Sequence, residues 1–147
     1  MIEFLFAGTA LIFLMLAVLQ FSLLWAGKGA VDAGAHLAAR RFALSAGKDF
    51  RKAREAAFLE AFRVCRERPG GTLGTAALTT LDIAREGERG NGRASPGDAM
   101  CVRLTHGVEL VVPWIDRILF ALFPGRKVRV GNRHYLMLQS CRWVTVE

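Results

Sequence analysis

Residues able to do chemistry are few and scattered in this chain. His36, His106 and His134 stand apart from one another and from any second ligand type. Cys65, Cys101 and Cys141 form no CxxC pair, and no Cys/His spacing suits zinc. GxSxG, HExxH, the P-loop and GxGxxG are all missing, and the acidic residues do not pair at a catalytic spacing. The pattern predicts no enzyme, no metal, no cofactor and no small-molecule substrate. Cys101 and Cys141 fall in two segments that read as strands, and two outcomes stand open for them. They bond, if that part of the chain faces an oxidising compartment, or they remain two buried thiols. His106 sits on the apolar face of its strand, where a satisfied histidine is the expected state.

One other titratable group has a suggestive position. Glu3 immediately precedes an apolar run, Phe4 to Ala26, in which no residue is charged. A carboxylate there must stay among lipid headgroups or find a partner. It is either an interfacial residue with no further role or a group that pairs with a positive charge on a neighbouring subunit. The run has 23 residues, about 35 Å as a helix, against a hydrocarbon core of about 30 Å. Thirteen of them are Leu, Ile, Phe or Val, contributing roughly −4 to −8 kcal/mol to insertion before polar penalties. Thr9, Gln20 and Ser22 are its polar members, and Trp25 marks the far interface. The run exceeds a secretory h-region and lacks a basic preceding stretch, so a retained transmembrane helix over residues 1–27 is expected.

An extended amphipathic helical region is expected over 28–68. Alanine is abundant there and proline absent until Pro69. Ala26, Ala30, Gly34 and Ala38 recur every four residues, a small-residue stripe that lets helices approach closely. The Ser45–Ala46–Gly47 stretch breaks or bends the helix. A second helical stretch, about Lys48 to Arg66, places Ala53, Ala57, Ala61 and Cys65 on one side. Arg68–Pro69–Gly70–Gly71 ends it.

Residues 69–147 read as a small α+β domain. Leu73 to Ile83 suits either a short strand or a helix, and residues 85–98 form a polar, Gly-rich loop. Val102, Leu104, Val108, Leu110 and Val112 alternate with Arg103, Thr105 and Glu109, as in a half-buried strand. Residues 113–125 suit a short apolar helix, far too short to span, that either covers the sheet, the preferred reading, or dips into an interface. Lys127–Val130, a Gly131–Asn132 turn and a strand from about His134 to Val146 complete the chain. The last strand is apolar on both faces, which suits a central position. Three antiparallel strands packed on the amphipathic part of a long N-terminal helix make the expected fold, α+β.

The net charge of +7 is uneven. Residues 28–66 carry nine basic and four acidic side chains, and residues 99–147 carry seven and three. Basic charge beside a span points to anionic lipid. With no recognised nucleic-acid motif and acids interspersed, nucleic acid is not an expected partner. Lys28, Arg40 and Arg41 follow the span and no Lys or Arg precedes it, which by the positive-inside rule puts 28–147 in the cytoplasm. On this count the chain reads as a membrane-tethered basic binding module.

The order of elements also resembles a known family. Glu3–Phe4 opens a long apolar run, Gln20–Phe21 lies late in it, and Ala38–Ala39–Arg40 follows in an alanine-rich helix. Valine-alternating strands, a proline-containing apolar stretch and a last strand ending in Val146–Glu147 come after. This layout resembles the TadE-like pseudopilins of the tight-adherence (Flp) type IV pilus system, firmly over residues 3–43 and loosely beyond. The resemblance implies a minor pilin or assembly factor in the bacterial inner membrane. Its domain would lie outside the cytoplasm, and its partners would be other pilin subunits and the assembly machinery. It also implies that Glu3 docks subunits and that a prepilin peptidase processes the chain.

Overall fold

The computed structural model describes residues 2–66, 71–85 and 94–147. Arg68–Pro69–Gly70, read above as the end of the second helix, and most of the polar loop lie outside the described residues.

The chain begins with one uninterrupted helix, α1 (Ile2–Ala46), of 45 residues, about 67 Å long. After a turn at Gly47–Lys48, α2 (Phe50–Cys65) folds back along it. Ser45–Ala46–Gly47 therefore breaks the helix rather than bending it. Asp49 explains why the second helix starts where it does. Its extended backbone and carboxylate form an N-cap, accepting from the amides of Arg51 (3.0 Å) and Lys52 (3.2 Å). The two helices close on a seam of small side chains, with Ala53, Ala57, Ala61 and Cys65 facing Ala35, Ala38, Ala39 and Ala46. Phe42, fully buried, fills the end of the seam edge-on to Phe50.

The sheet has four antiparallel strands in the order β1-β2-β4-β3. They are β1 (Thr79–Arg85), β2 (Ala99–Leu110), β3 (Lys127–Val130) and β4 (Arg133–Thr145). The expected three-strand sheet gains β1. The ambiguous segment is both things in succession: α3 (Gly71–Leu78) is helical, and from Thr79 the backbone pairs with β2 in the register Thr79↔His106 to Arg85↔Met100. Neither periodicity could dominate because the switch falls inside the window. The last strand is central, as its two apolar faces suggested, with β2 on one side and β3 on the other.

One face of the sheet lies on the helix hairpin. Leu81, Ile83, Met100, Val102, Leu104 and Val146 join the core there. Two glycines of α1 set the approach distance. A Cβ at Gly27 would stand 2.8 Å from Val108 Cγ2, and one at Gly34 would stand 3.0 Å from Leu104 Cδ2. These glycines cost helix propensity, and the tight helix–sheet contact is what they permit. Lys28 adds a polar tie, its Nζ donating to Asp32 (2.9 Å) and to the carbonyl of Gln139 in β4 (2.8 Å).

Candidate membrane and subunit interface

Along α1 the environment changes around Gln20, from no buried side chain before it to burial on one side after it. No side chain from Glu3 to Leu19 is buried, and Phe4, Leu11, Leu14 and Val18 stand open on all sides. An apolar helix with no polar face suits lipid rather than a core. Its hydroxyls are compatible with that surrounding: Thr9 donates to the Leu5 carbonyl (2.7 Å) and Ser22 to that of Val18 (2.9 Å). α1 is long and apolar enough to cross a membrane.

Gln20 ends this stretch. Its side chain is fully buried, and its Oε1 accepts from the backbone amides of Val111 (3.1 Å) and Val112 (2.9 Å). Those two amides have left the ladder, so β2 ends at Leu110 although the alternation continued to Val112. From here on α1 runs beside β2 in the opposite direction, with Gly27 at Val108, Gly34 at Leu104 and the Ala43 carbonyl at the Glu147 amide. The end of the domain nearest the span is therefore the end of β2, the β3–β4 hairpin and the short helix between them, α4 (Ile115–Leu122).

α4 is held by its buried side. Ile115 is buried, and His134 Nδ1 lies 2.8 Å from Asp116 Oδ2, with the imidazole 4.6 Å from the Phe120 ring. This His–Asp pair was not legible in the sequence, where 18 residues separate its members. It ties α4 to β4 beside a shallow cavity of about 360 Å³ lined by Pro113, Trp114, Asp116, Arg117, Asn132 and His134. Trp114 enters the helix with φ 72°, a left-handed conformation that costs a bulky residue of order 1–3 kcal/mol. The preferred expectation, that this segment covers the sheet, holds for the inner side of α4 only. Trp114, Ile118 and Leu122, four residues apart, are 70%, 49% and 74% exposed, so one face of α4 covers nothing among the described residues.

The other singled-out residues distribute as follows. Glu3 is exposed in the first turn of α1, far along the helix from the domain. The small-residue stripe is divided. Gly34 and Ala38 are buried, Gly34 lying 3.6 Å from the Ala61 carbonyl of α2 as measured from its Cβ position, whereas Ala30 is half-buried and Ala26 exposed. The inner half of the stripe thus serves packing within the chain. Cys101 and Cys141 are disulfide-bonded across β2 and β4, on the sheet face away from the helices, with Cα atoms 6.2 Å apart. Cys65 is buried and is not disulfide-bonded. His106 is buried and shares a 2.8 Å hydrogen bond with Thr79 Oγ1. Among the described residues no three His, Cys, Asp or Glu side chains gather as a metal site.

Two carboxylates have displaced acidities, both outside the span. Hydrogen bonds from Ser140 and then Lys28 hold Asp32 below the usual range. The Lys52 amide, with that of Arg51, does the same for Asp49.

No protein-family model, no curated protein and no solved structure matches the chain.

Proposed function

We propose that this chain is a pilin-like membrane subunit, a minor pilin or assembly factor of the TadE-like kind in a tight-adherence (Flp) type IV pilus. The observation that carries the reading is the single continuous α1. Its first part is apolar all round and carries no domain, and its second part is the spine of an α+β domain. A subunit built this way is retained in the bilayer by the first part and can pass laterally to neighbouring helices without unfolding the second. The two environments favour the same helix, since bilayer and core both demand satisfied backbone groups.

In this reading the protein crosses the bacterial inner membrane once, with residues beyond the span in the periplasm or on the pilus. The Cys101–Cys141 disulfide supports that side, because such bonds persist in oxidising compartments. Glu3 is the docking group: a carboxylate drawn into a helix bundle needs a positive partner, such as a neighbour's N-terminal amine. The outer stripe positions Ala26 and Ala30 leave room for close helix contact.

The test has two parts. A reporter active only outside the cytoplasm, fused after Glu147, is expected to be active. Glu3→Ala is expected to leave membrane insertion intact while abolishing co-purification with other pilin subunits. A silent reporter would end the pilin reading and leave a tethered basic module with a cytoplasmic domain. Undiminished co-purification of Glu3→Ala would remove the role given to Glu3.

A further inference from the structure

The geometry points to α4 and the β3–β4 hairpin as a membrane-docking surface: the exposed stripe Trp114, Ile118 and Leu122 enters the bilayer interface, and basic residues around it meet anionic phospholipid headgroups. This inference rests on the reading of α1 as a membrane span.

The first argument is length. Glu3 to Leu19 is the part of α1 in which no side chain is buried, Leu16 and Ala17 near its end being half-buried, and 17 residues rise only about 26 Å. A hydrocarbon core is about 30 Å thick. A span that fills it from Glu3 brings Gln20 to the level of the acyl–headgroup boundary and exposed Trp25, about 8 Å further on, into the headgroup layer. Gln20 is bonded directly to Val111 and Val112, and α4 starts three residues later. The near edge of the domain therefore sits at the membrane surface.

The second argument is what that edge presents. Trp114, Ile118 and Leu122 form one apolar stripe at helical spacing while Ile115 on the other side is buried. Tryptophan is favoured at bilayer interfaces, and short helices with an apolar stripe and a basic border lie in them. The border is present: Arg117, Arg126 and Arg129 are exposed along α4 and the hairpin, as is Lys127, whose Nζ also donates to the Phe120 carbonyl (2.7 Å), while the charge of Arg133 is balanced by Glu109. Asp116 faces His134, and Glu109 faces Arg133, so the acids of this edge are engaged within the domain. The left-handed backbone at Trp114 is a cost retained at the residue that leads the stripe into α4. A lipid surface accounts for the apolar stripe, the positive border and the position together.

The experiment uses the full chain in nanodiscs whose lipids carry brominated acyl chains, which quench tryptophan at known depths. Three single-tryptophan proteins are compared, each checked for folding by circular dichroism. One keeps Trp114 (Trp25→Phe, Trp143→Phe). One keeps Trp143 (Trp25→Phe, Trp114→Phe), an exposed residue at the far end of β4. The third carries Phe13→Trp with all three natural tryptophans changed to Phe, and reports on the span. In discs containing phosphatidylglycerol, Trp114 is expected to be quenched most by bromines about 5–10 Å below the headgroups. Phe13→Trp is expected to be quenched at the deepest positions and Trp143 not at all. Replacing phosphatidylglycerol by phosphatidylcholine, or raising salt, should weaken the quenching of Trp114. An unquenched Phe13→Trp would overturn the span itself. A quenched Phe13→Trp beside an unquenched Trp114 would overturn the docking surface alone. Trp114 shielded both from lipid bromine and from aqueous acrylamide would mean that protein covers this face, and would equally overturn it. Quenching indifferent to lipid charge and salt would overturn the part given to the basic border.

Discussion

The two parts of α1 share one backbone and live in different surroundings. From Glu3 to Leu19 large apolar side chains point in every direction and none is buried. From Val31 to Ala46 the buried positions are one-sided, and all but Val31 and Phe42 are alanine or glycine, while His36, Arg40 and Arg41 face outward. Bulk on all sides suits a solvent of acyl chains, which fills any gap. Small residues on one side suit a fixed partner, which does not. The boundary is a single polar side chain, Gln20, whose carbonyl replaces the strand partner that Val111 and Val112 have lost.

Substitutions in the two parts should therefore differ sharply in cost. Phe42→Ala removes a fully buried ring from the seam between α1, α2 and the sheet. It should cost about 3–5 kcal/mol, read as a fall in thermal midpoint of the domain in detergent. Leu11→Ala, in the exposed part, should leave the midpoint unchanged. Equal losses would show that the comparison is false.

Gln20→Leu tests the boundary. Leucine roughly keeps the volume and removes the buried Nε2, but leaves two backbone amides without an acceptor, one of them buried. A loss of about 1–3 kcal/mol follows, together with faster amide hydrogen exchange at Val111 and Val112. Exchange confined to those two amides would sharpen the assignment, and unchanged exchange would remove it.

The smallest effect is pH-dependent and belongs wholly to the second part. Asp32 is held below the usual carboxylate range by Ser140 and Lys28, tying α1 to β4. Its stabilising contribution is complete above the unfolded value of about 3.9. It is lost as pH falls through the lowered folded value. Acid titration of domain stability should therefore show a decline below about pH 4 that is shallower in Asp32→Asn. Exposure limits the size of the difference. An identical acid limb in the variant would contradict the assignment.

Much of this was legible in the chain itself. A first helix long and apolar enough to cross a membrane, the second helix, the β3–β4 hairpin and the central place of the last strand all followed from residue pattern, because each depends on periodicity or turn chemistry over a short window. What escaped depends on distant partners. Gln20 read as one of three polar residues in a span, since nothing local says that its carbonyl meets amides 91 and 92 residues away. The stripe Ala26, Ala30, Gly34 and Ala38 announced close helix contact but could not say with what. Its inner members proved to lie within the chain. β1 was hidden because pairing with β2, not its own alternation, decides where α3 stops. The segment of α4 left two readings open, covering the sheet or dipping into an interface, for a related reason: eight residues of apolar helix look alike in either place.

The division of α1 at Gln20 can be measured directly. Spin labels are placed singly at positions 4–46 in a Cys65→Ala background that keeps the Cys101–Cys141 bond, and the full chain is reconstituted in bilayers. Collision with dissolved oxygen and with a water-soluble nickel complex is then recorded along the helix. The account predicts high oxygen and low nickel collision at every position from 4 to 19. Beyond position 20 it predicts a swing to protection on one side with a period of about 3.6 residues. A helical period of protection within 4–19, or free access of nickel there, would contradict it.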